Sequence, residues 1–94
     1  MEPLFIAASP TSPEVDFRFD QHTLSIKGES YPENAAAFYG PVIARVKAYL
    51  DQCSDAEITV HVSLAYFNSS STKMLFSFFE ALNEAAMAGS QVRL

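Results

Sequence analysis

Cysteine occurs once in this chain, as Cys53, which excludes an internal disulfide framework. Glycine occurs three times, at widely separated positions, so there is no glycine-rich loop to cradle a phosphate. Basic residues are few: 6 Lys and Arg stand against 11 Asp and Glu, a net charge of −5. That balance argues against nucleic acid, whose binding needs a basic stripe, and equally against anionic membrane surfaces. No apolar run approaches the ~20 residues of a membrane span. Met1 to Ala8 carry Glu2 and no basic stretch, so they do not read as a signal peptide, and the expected compartment is the cytoplasm. Charged residues make up only 18% of the chain, below the roughly 25% usual for soluble proteins. With 8 Phe among 94 residues, this means either a dense core or apolar surface left for a partner. The length fits one domain, residues 1–94, with a thin margin of stability.

What is present is periodicity. Leu4-Phe5-Ile6 is a short, weak strand signal. Val15, Phe17 and Phe19 alternate with Asp16, Arg18 and Asp20; Leu24 and Ile26 alternate with Thr23, Ser25 and Lys27. The polar turn Asp20-Gln21-His22 between them predicts a hairpin. Ile58, Val60, Val62 and Leu64 face one way, and Thr59, His61 and Ser63 the other. Such alternation predicts a sheet with one covered face and one wet face. Val42, Ile43, Val46, Tyr49, Leu50 and Cys53 share about a third of a helix circumference. Gly40-Pro41 is expected to open that helix, with Pro41 at its first position, and Pro32 to Ala37 to add a separate turn. A second helix is expected from about Ser71 to Ala88, stopped by Gly89, with Leu75, Phe78, Phe79, Leu82, Ala85 and Ala86 as its core stripe. Val92 and Leu94 begin a further strand. The predicted class is α/β, a mixed sheet with both helices on one face. That layout is similar to the small anti-sigma-factor-antagonist (STAS-like, SpoIIAA-like) domains.

Catalytic chemistry finds no constellation. His22 and His61 have no ligand spacing with each other or with Cys53, and read as surface histidines rather than a metal site. Cys53 lies on an apolar helix face and reads as a core thiol. Glu80 and Glu84 are neighbours on a solvated helix face. No nucleophile, base and oxyanion site assemble, and no cofactor or metal is expected.

The informative stretch is Tyr66-Phe67-Asn68-Ser69-Ser70-Ser71-Thr72-Lys73, at a strand-to-helix junction. One serine is expected as the helix N-cap; the junction offers three. A hydroxyl there is also a good phosphorylation site, because the added charge meets the positive end of the helix and its free N–H groups, with Lys73 nearby.

Two segments carry a resemblance. Gly28-Glu29-Ser30-Tyr31-Pro32-Glu33-Asn34, followed by alanines and Phe38-Tyr39-Gly40, resembles the hallmark of the SiaC-type bacterial regulatory phosphoproteins. Leu64 to Lys73 resembles their second hallmark, an aromatic-x-Asn-Thr/Ser-Ser-Ser stretch before a Lys. The similarity runs from about Pro3 onward. It implies a STAS-like fold, with Ser30, Tyr31, Pro32, Glu33, Asn34 and Asn68 as motif positions. It implies a phosphoacceptor at Ser69, the hydroxyl directly after Asn68, served by a serine/threonine kinase and a PP2C-type phosphatase. It also implies that the unphosphorylated form binds and activates a diguanylate cyclase, which places the protein in cyclic-di-GMP signalling. Two departures stand out: the best-known acceptor is Thr, and the sequence stops at Leu94 where family members continue. A truncated fold, or one completed by a second copy as a homodimer, is the matching expectation.

Thr72, Phe76, Asn83 and Met87, flanked by Glu80 and Lys73, form a stripe on the second helix away from its core side. They are the expected docking surface, the alternative being that they pack against a C-terminal helix that family members have or against a second subunit. The expectation is thus a non-catalytic, phosphorylation-controlled partner switch. Two alternatives stay open: a binding domain whose serines are only caps, and an enzyme with an activated serine in the cluster.

Overall fold

The computed structural model describes residues 2–52, 57–87, 89 and 91–93. Its elements follow in the order β1 (Leu4–Ile6), β2 (Glu14–Arg18), β3 (Thr23–Ser30), α1 (Ala35–Gln52), β4 (Glu57–Phe67), α2 (Ser69–Met87) and β5 (Gln91–Arg93). The strands form one five-stranded sheet in sequence order. β1–β2 and β2–β3 pair antiparallel, while β3–β4 and β4–β5 pair parallel. Each parallel pair is bridged by a helix, and right-handed crossovers set both helices on the same face. The expected α/β layout is therefore present.

The alternating residues do what their spacing predicts. Val15, Phe17, Leu24, Ile26, Ile58 and Val60 are buried, and they share one core with Tyr39, Val42, Val46, Tyr49, Leu75, Phe78 and Leu82 from the helices. Phe78 stacks on Phe17 with centroids 5.9 Å apart, tying α2 to β2. The opposite face carries the ion pairs Arg18–Asp16 and Lys27–Glu14. The hairpin turn is a 3₁₀ turn at Phe19–Gln21, closed by His22 in the left-handed region at φ 53. His22 is not the surface histidine expected: it is half-buried and hydrogen-bonded through Nδ1 to the Tyr49 hydroxyl. His61 is exposed.

Two expectations about the helices are corrected. Pro41 does not open α1; it sits inside a continuous helix that starts at Ala35. An interior proline costs about 3 kcal/mol, but two features lower that here. Gly40 has no Cβ to clash with the proline ring, and Ala37, whose carbonyl loses its helical partner, is exposed. Burial of Ala35 and Tyr39 against the core requires the turn before the proline. Secondly, α2 is rotated relative to the expected stripe. Ser71, Leu75, Phe78, Ala81 and Leu82 are buried, whereas Phe79 and Ala86 are exposed and Ala85 is half-buried. Beyond the alternating stretch that the sequence shows, β4 carries a bulge: Leu64 pairs with Gly28 and Tyr66 with Glu29, which leaves Ala65 extra. The alternation flips after it, so Phe67 joins Val62 and Leu64 on the helix side, lining a cleft with Leu75, Phe76 and Phe79. Gly28 takes the matching φ of +122, which L side chains rarely adopt. Gly89 follows α2 at φ 116, and its N–H donates to Ala86 C=O at 3.2 Å, as a helix stop requires. Cys53, Ala88 and Leu94 lie outside the described residues.

Candidate functional site

The parallel strands β3 and β4 end side by side, with Ser30 paired to Phe67. Each then runs into a helix, so the N-termini of α1 and α2 meet at one end of the sheet. The same device starts both helices. Asn34 Oδ1 accepts the Ala37 N–H at 3.0 Å, and Asn68 Oδ1 accepts the Ser71 N–H at 2.9 Å. Both are N-cap asparagines satisfying an orphan donor of the first turn. The expectation that a serine caps α2 is therefore corrected: Asn68 caps it, and its carbonyl also receives the Thr72 N–H and hydroxyl at 3.0 and 3.1 Å. Asn68→Ala should lower stability by about 1 kcal/mol, read as a lower urea midpoint at unchanged slope.

Capping thus requires none of the three serines, and the fold sorts them. Ser71 is fully buried. Its hydroxyl donates to Ser30 C=O at 3.0 Å and accepts from Ser30 Oγ at 2.8 Å. Ser30, also fully buried, is hydrogen-bonded through Oγ to the Tyr39 hydroxyl. Burial pushes the Tyr39 phenol above its ordinary pKa, by more than its hydrogen bonds with Ser30 and Ser71 offset, so it remains a donor at neutral pH. Ser69 and Ser70 are exposed on the first turn, and their N–H groups have no intrahelical acceptor. Lys73, four residues after Ser69 and therefore on the same side of the helix, is exposed and forms no ion pair with the described residues. Ser70 and Lys73 line a shallow cleft with Glu33, Asn34, Ala35, Ala36 and Met74.

The motif positions fall in two roles. Ser30, Asn34 and Asn68 build the junction. Tyr31 packs edge-on against Tyr66, centroids 5.5 Å apart, and its N–H donates to Thr11 C=O at 2.8 Å. Pro32 is half-buried and Glu33 is exposed. Tyr39 is the contributor that sequence reasoning missed; its place one turn into a helix that appeared to start at Pro41 concealed it. The docking-stripe residues Thr72, Phe76, Glu80, Asn83 and Met87 are all exposed, Phe76 at 71% and Met87 at 82%. Using ~100° per residue, Phe76, Glu80, Asn83 and Met87 fall within about 40° of Ser69 around α2.

A catalytic serine needs a base within hydrogen-bond reach, and the fold brings no histidine to these serines. His22 lies at the other end of β3, eight residues before Ser30, or roughly 26 Å of extended chain. His61 lies on the face of β4 opposite the helices. No group of three metal-ligating side chains occurs among the described residues, and none of their helices is long and apolar enough to cross a membrane.

The family model of the SiaC family regulatory phosphoproteins matches residues 6–94. An uncharacterized protein of Pseudomonas aeruginosa is 31% identical over 94 residues, all of this chain and 74% of that protein. The structure of SiaC of Pseudomonas aeruginosa superposes with a TM-score of 0.92 at 30% identity, over 98% of this chain and 75% of that one. A chain in the crystal structure of the diguanylate cyclase SiaD in complex with its activator SiaC, from the same organism, matches with a TM-score of 0.88 at 30% identity, over 95% of this chain and 72% of that one. The family model over residues 6–94 and the 31% identity to a relative agree: the chain belongs to the SiaC family of regulatory phosphoproteins.

Proposed function

We propose that this protein is a cytoplasmic, non-catalytic partner switch that binds and activates a diguanylate cyclase in its unphosphorylated form. A serine/threonine kinase adds a phosphoryl group to Ser69 and a PP2C-type phosphatase removes it. The observation that carries this reading is the division of labour in the first turn of α2. Asn68 does the capping, Ser71 is locked in the core, and the exposed hydroxyl directly after the cap is left without a structural task. The SiaC relative is an activator found in complex with a diguanylate cyclase, and the same assignment here gives the exposed apolar stripe on α2 a partner.

Ser69 stands at the head of that stripe. Phe76 lies seven residues on, about 10 Å along the helix axis and on the same side. A phosphoserine carries about −1.5 to −2 charge at neutral pH. The fold tolerates this charge, because free N–H groups, the helix dipole and unpaired Lys73 all favour an anion there. An interface does not tolerate it, because desolvating the group is costly unless cations meet it. Ser69→Asp should therefore weaken cyclase binding at least tenfold in a titration while leaving the melting temperature close to wild type. Unchanged affinity would remove the electrostatic switch from this reading. The reverse reaction leaves no mark on the chain, so phosphatase dependence is read by adding a PP2C-type enzyme to the phosphorylated protein and following its intact mass.

A further inference from the structure

We propose that Ser30 and Tyr39 are positioning residues that select which hydroxyl of the Ser69-Ser70-Ser71 run is phosphorylated. The proposal rests on the reading of Ser69 as acceptor and adds how that choice is made. In sequence the three serines are equivalent neighbours. In the fold they are separated by a buried hydroxyl chain that joins segments 41 residues apart. The Tyr39 hydroxyl donates to Ser30 Oγ, Ser30 Oγ donates to Ser71 Oγ, and Ser71 Oγ donates to Ser30 C=O. The same carbonyl receives the Asn68 N–H at 3.1 Å. Each hydroxyl proton has one acceptor, and no buried side-chain polar atom among the described residues lacks a partner.

Two consequences follow for the turn. Ser71 cannot rotate outward without leaving buried hydroxyls unpaired, so it is withheld from a kinase. Asn68 is held at both ends, its N–H by Ser30 C=O and its side chain by the Ser71 N–H, so the residue that follows it enters the helix in one fixed direction. Ser70 is turned by ~100° from Ser69 into the cleft lined by Glu33, Lys73 and Met74, and so faces a different side of the helix from the hydroxyl that follows the cap. The kinase step itself is ordinary phosphoryl transfer. The bond between the γ-phosphorus of a nucleoside triphosphate and its bridging oxygen breaks and a bond to the serine Oγ forms. The hydroxyl proton passes to a base on the kinase, and nucleoside diphosphate leaves. Ser30 and Tyr39 touch none of these atoms; they act through Ser71 and Asn68.

The test is site-resolved mass spectrometry of the full chain isolated from its native cells, wild type beside Ser30→Ala and Tyr39→Phe, with amide hydrogen exchange on the same proteins. Wild type should carry its phosphate on Ser69. In Ser30→Ala the ratio of phosphate on Ser69 to that on Ser70 plus Ser71 should fall at least tenfold. Amide exchange at Asn68, Ser71 and Thr72, whose N–H groups are hydrogen-bonded, should rise at least tenfold while Leu24 and Ile26 in β3 stay protected. Tyr39→Phe, which leaves the Ser30–Ser71 bonds in place, should shift both readouts less. A Ser30→Ala protein phosphorylated on Ser69 alone, as wild type is, overturns the inference and leaves the proposed function standing. A wild-type protein with no phosphate overturns the proposed function, and the positioning claim is then decided by exchange: unchanged protection at Asn68, Ser71 and Thr72 in Ser30→Ala overturns that too.

Discussion

Ser69→Ala should carry no phosphate in cells where the wild-type chain is phosphorylated, while Ser70→Ala is still labelled. The expected effect is all-or-none, because Ser71 is withheld by burial and Ser70 faces a different side of the helix. Ser71 is fully buried and engaged as both donor and acceptor. Ser70 is exposed, but it is turned by ~100° around the helix from Ser69, into a cleft lined by both Glu33 and Lys73. The substitution is also clean. Ser69 caps nothing, and alanine is the best helix former, so stability should stay within about 0.5 kcal/mol of wild type. Intact mass and peptide mapping of the two variants decide the matter. Full labelling of Ser69→Ala would move the acceptor elsewhere, and a destabilised Ser69→Ala would mean that the hydroxyl has a structural partner after all.

The sheet was legible in the sequence because a half-covered face writes a period of two. Val15 and Phe17, Leu24 and Ile26, Ile58 and Val60 are all buried as their alternation predicts. The site was legible as a neighbourhood: two asparagine-containing segments at two strand-to-helix junctions. Their adjacency was not, since it depends on β3 and β4 pairing in parallel with Ser30 beside Phe67, a contact between segments far apart in the chain. The roles of the serines were hidden for the same reason. A buried serine and an exposed one look alike in sequence, and only the carbonyl and hydroxyl of Ser30 distinguish Ser71.

The features that the sequence concealed have local causes. Pro41 is the strongest helix-start signal in the chain, yet core burial of Tyr39 and Ala35 outweighs it. The bulge at Ala65 inverts the face of every later residue in β4, and a single extra residue leaves no signal in composition. In α2, hydrophobicity favoured Phe79 for the core, whereas the helix is rotated so that Ser71 faces inward to meet Ser30. That rotation leaves Phe79 beside Phe76, Glu80 and Asn83 on the outer surface, so one hydroxyl network influences both the acceptor and the apolar surface beside it.

Phe76→Ala combined with Met87→Ala should abolish cyclase binding, by a loss of more than about 30-fold, the equivalent of the 2 kcal/mol or more that an interface anchor contributes. Phe76 is 71% exposed and Met87 82% exposed, and apolar side chains this open on a helix rich in polar residues bury area only when something covers them. Asn83 Nδ2 donates to Met87 Sδ at 3.8 Å, a weak contact within the stripe. Thr72 and Phe76 continue into the cleft formed by Val62, Leu64, Phe67, Leu75 and Phe79, so the apolar surface widens toward Ser69, where a phosphate would edge it with charge. Because neither side chain is buried within the chain, truncation opens no cavity, and stability of the isolated protein should change by no more than about 0.5 kcal/mol. Affinity for the cyclase by titration, thermal melting and molar mass by light scattering are measured on the same double variant. Lost binding with unchanged melting and unchanged mass identifies the stripe as the cyclase dock. A dimer that dissociates in the variant would assign the stripe to a second copy of the chain. A drop of several kcal/mol, the signature of truncating a buried Phe, would place both residues in the structure itself, and the cyclase would then have to dock elsewhere.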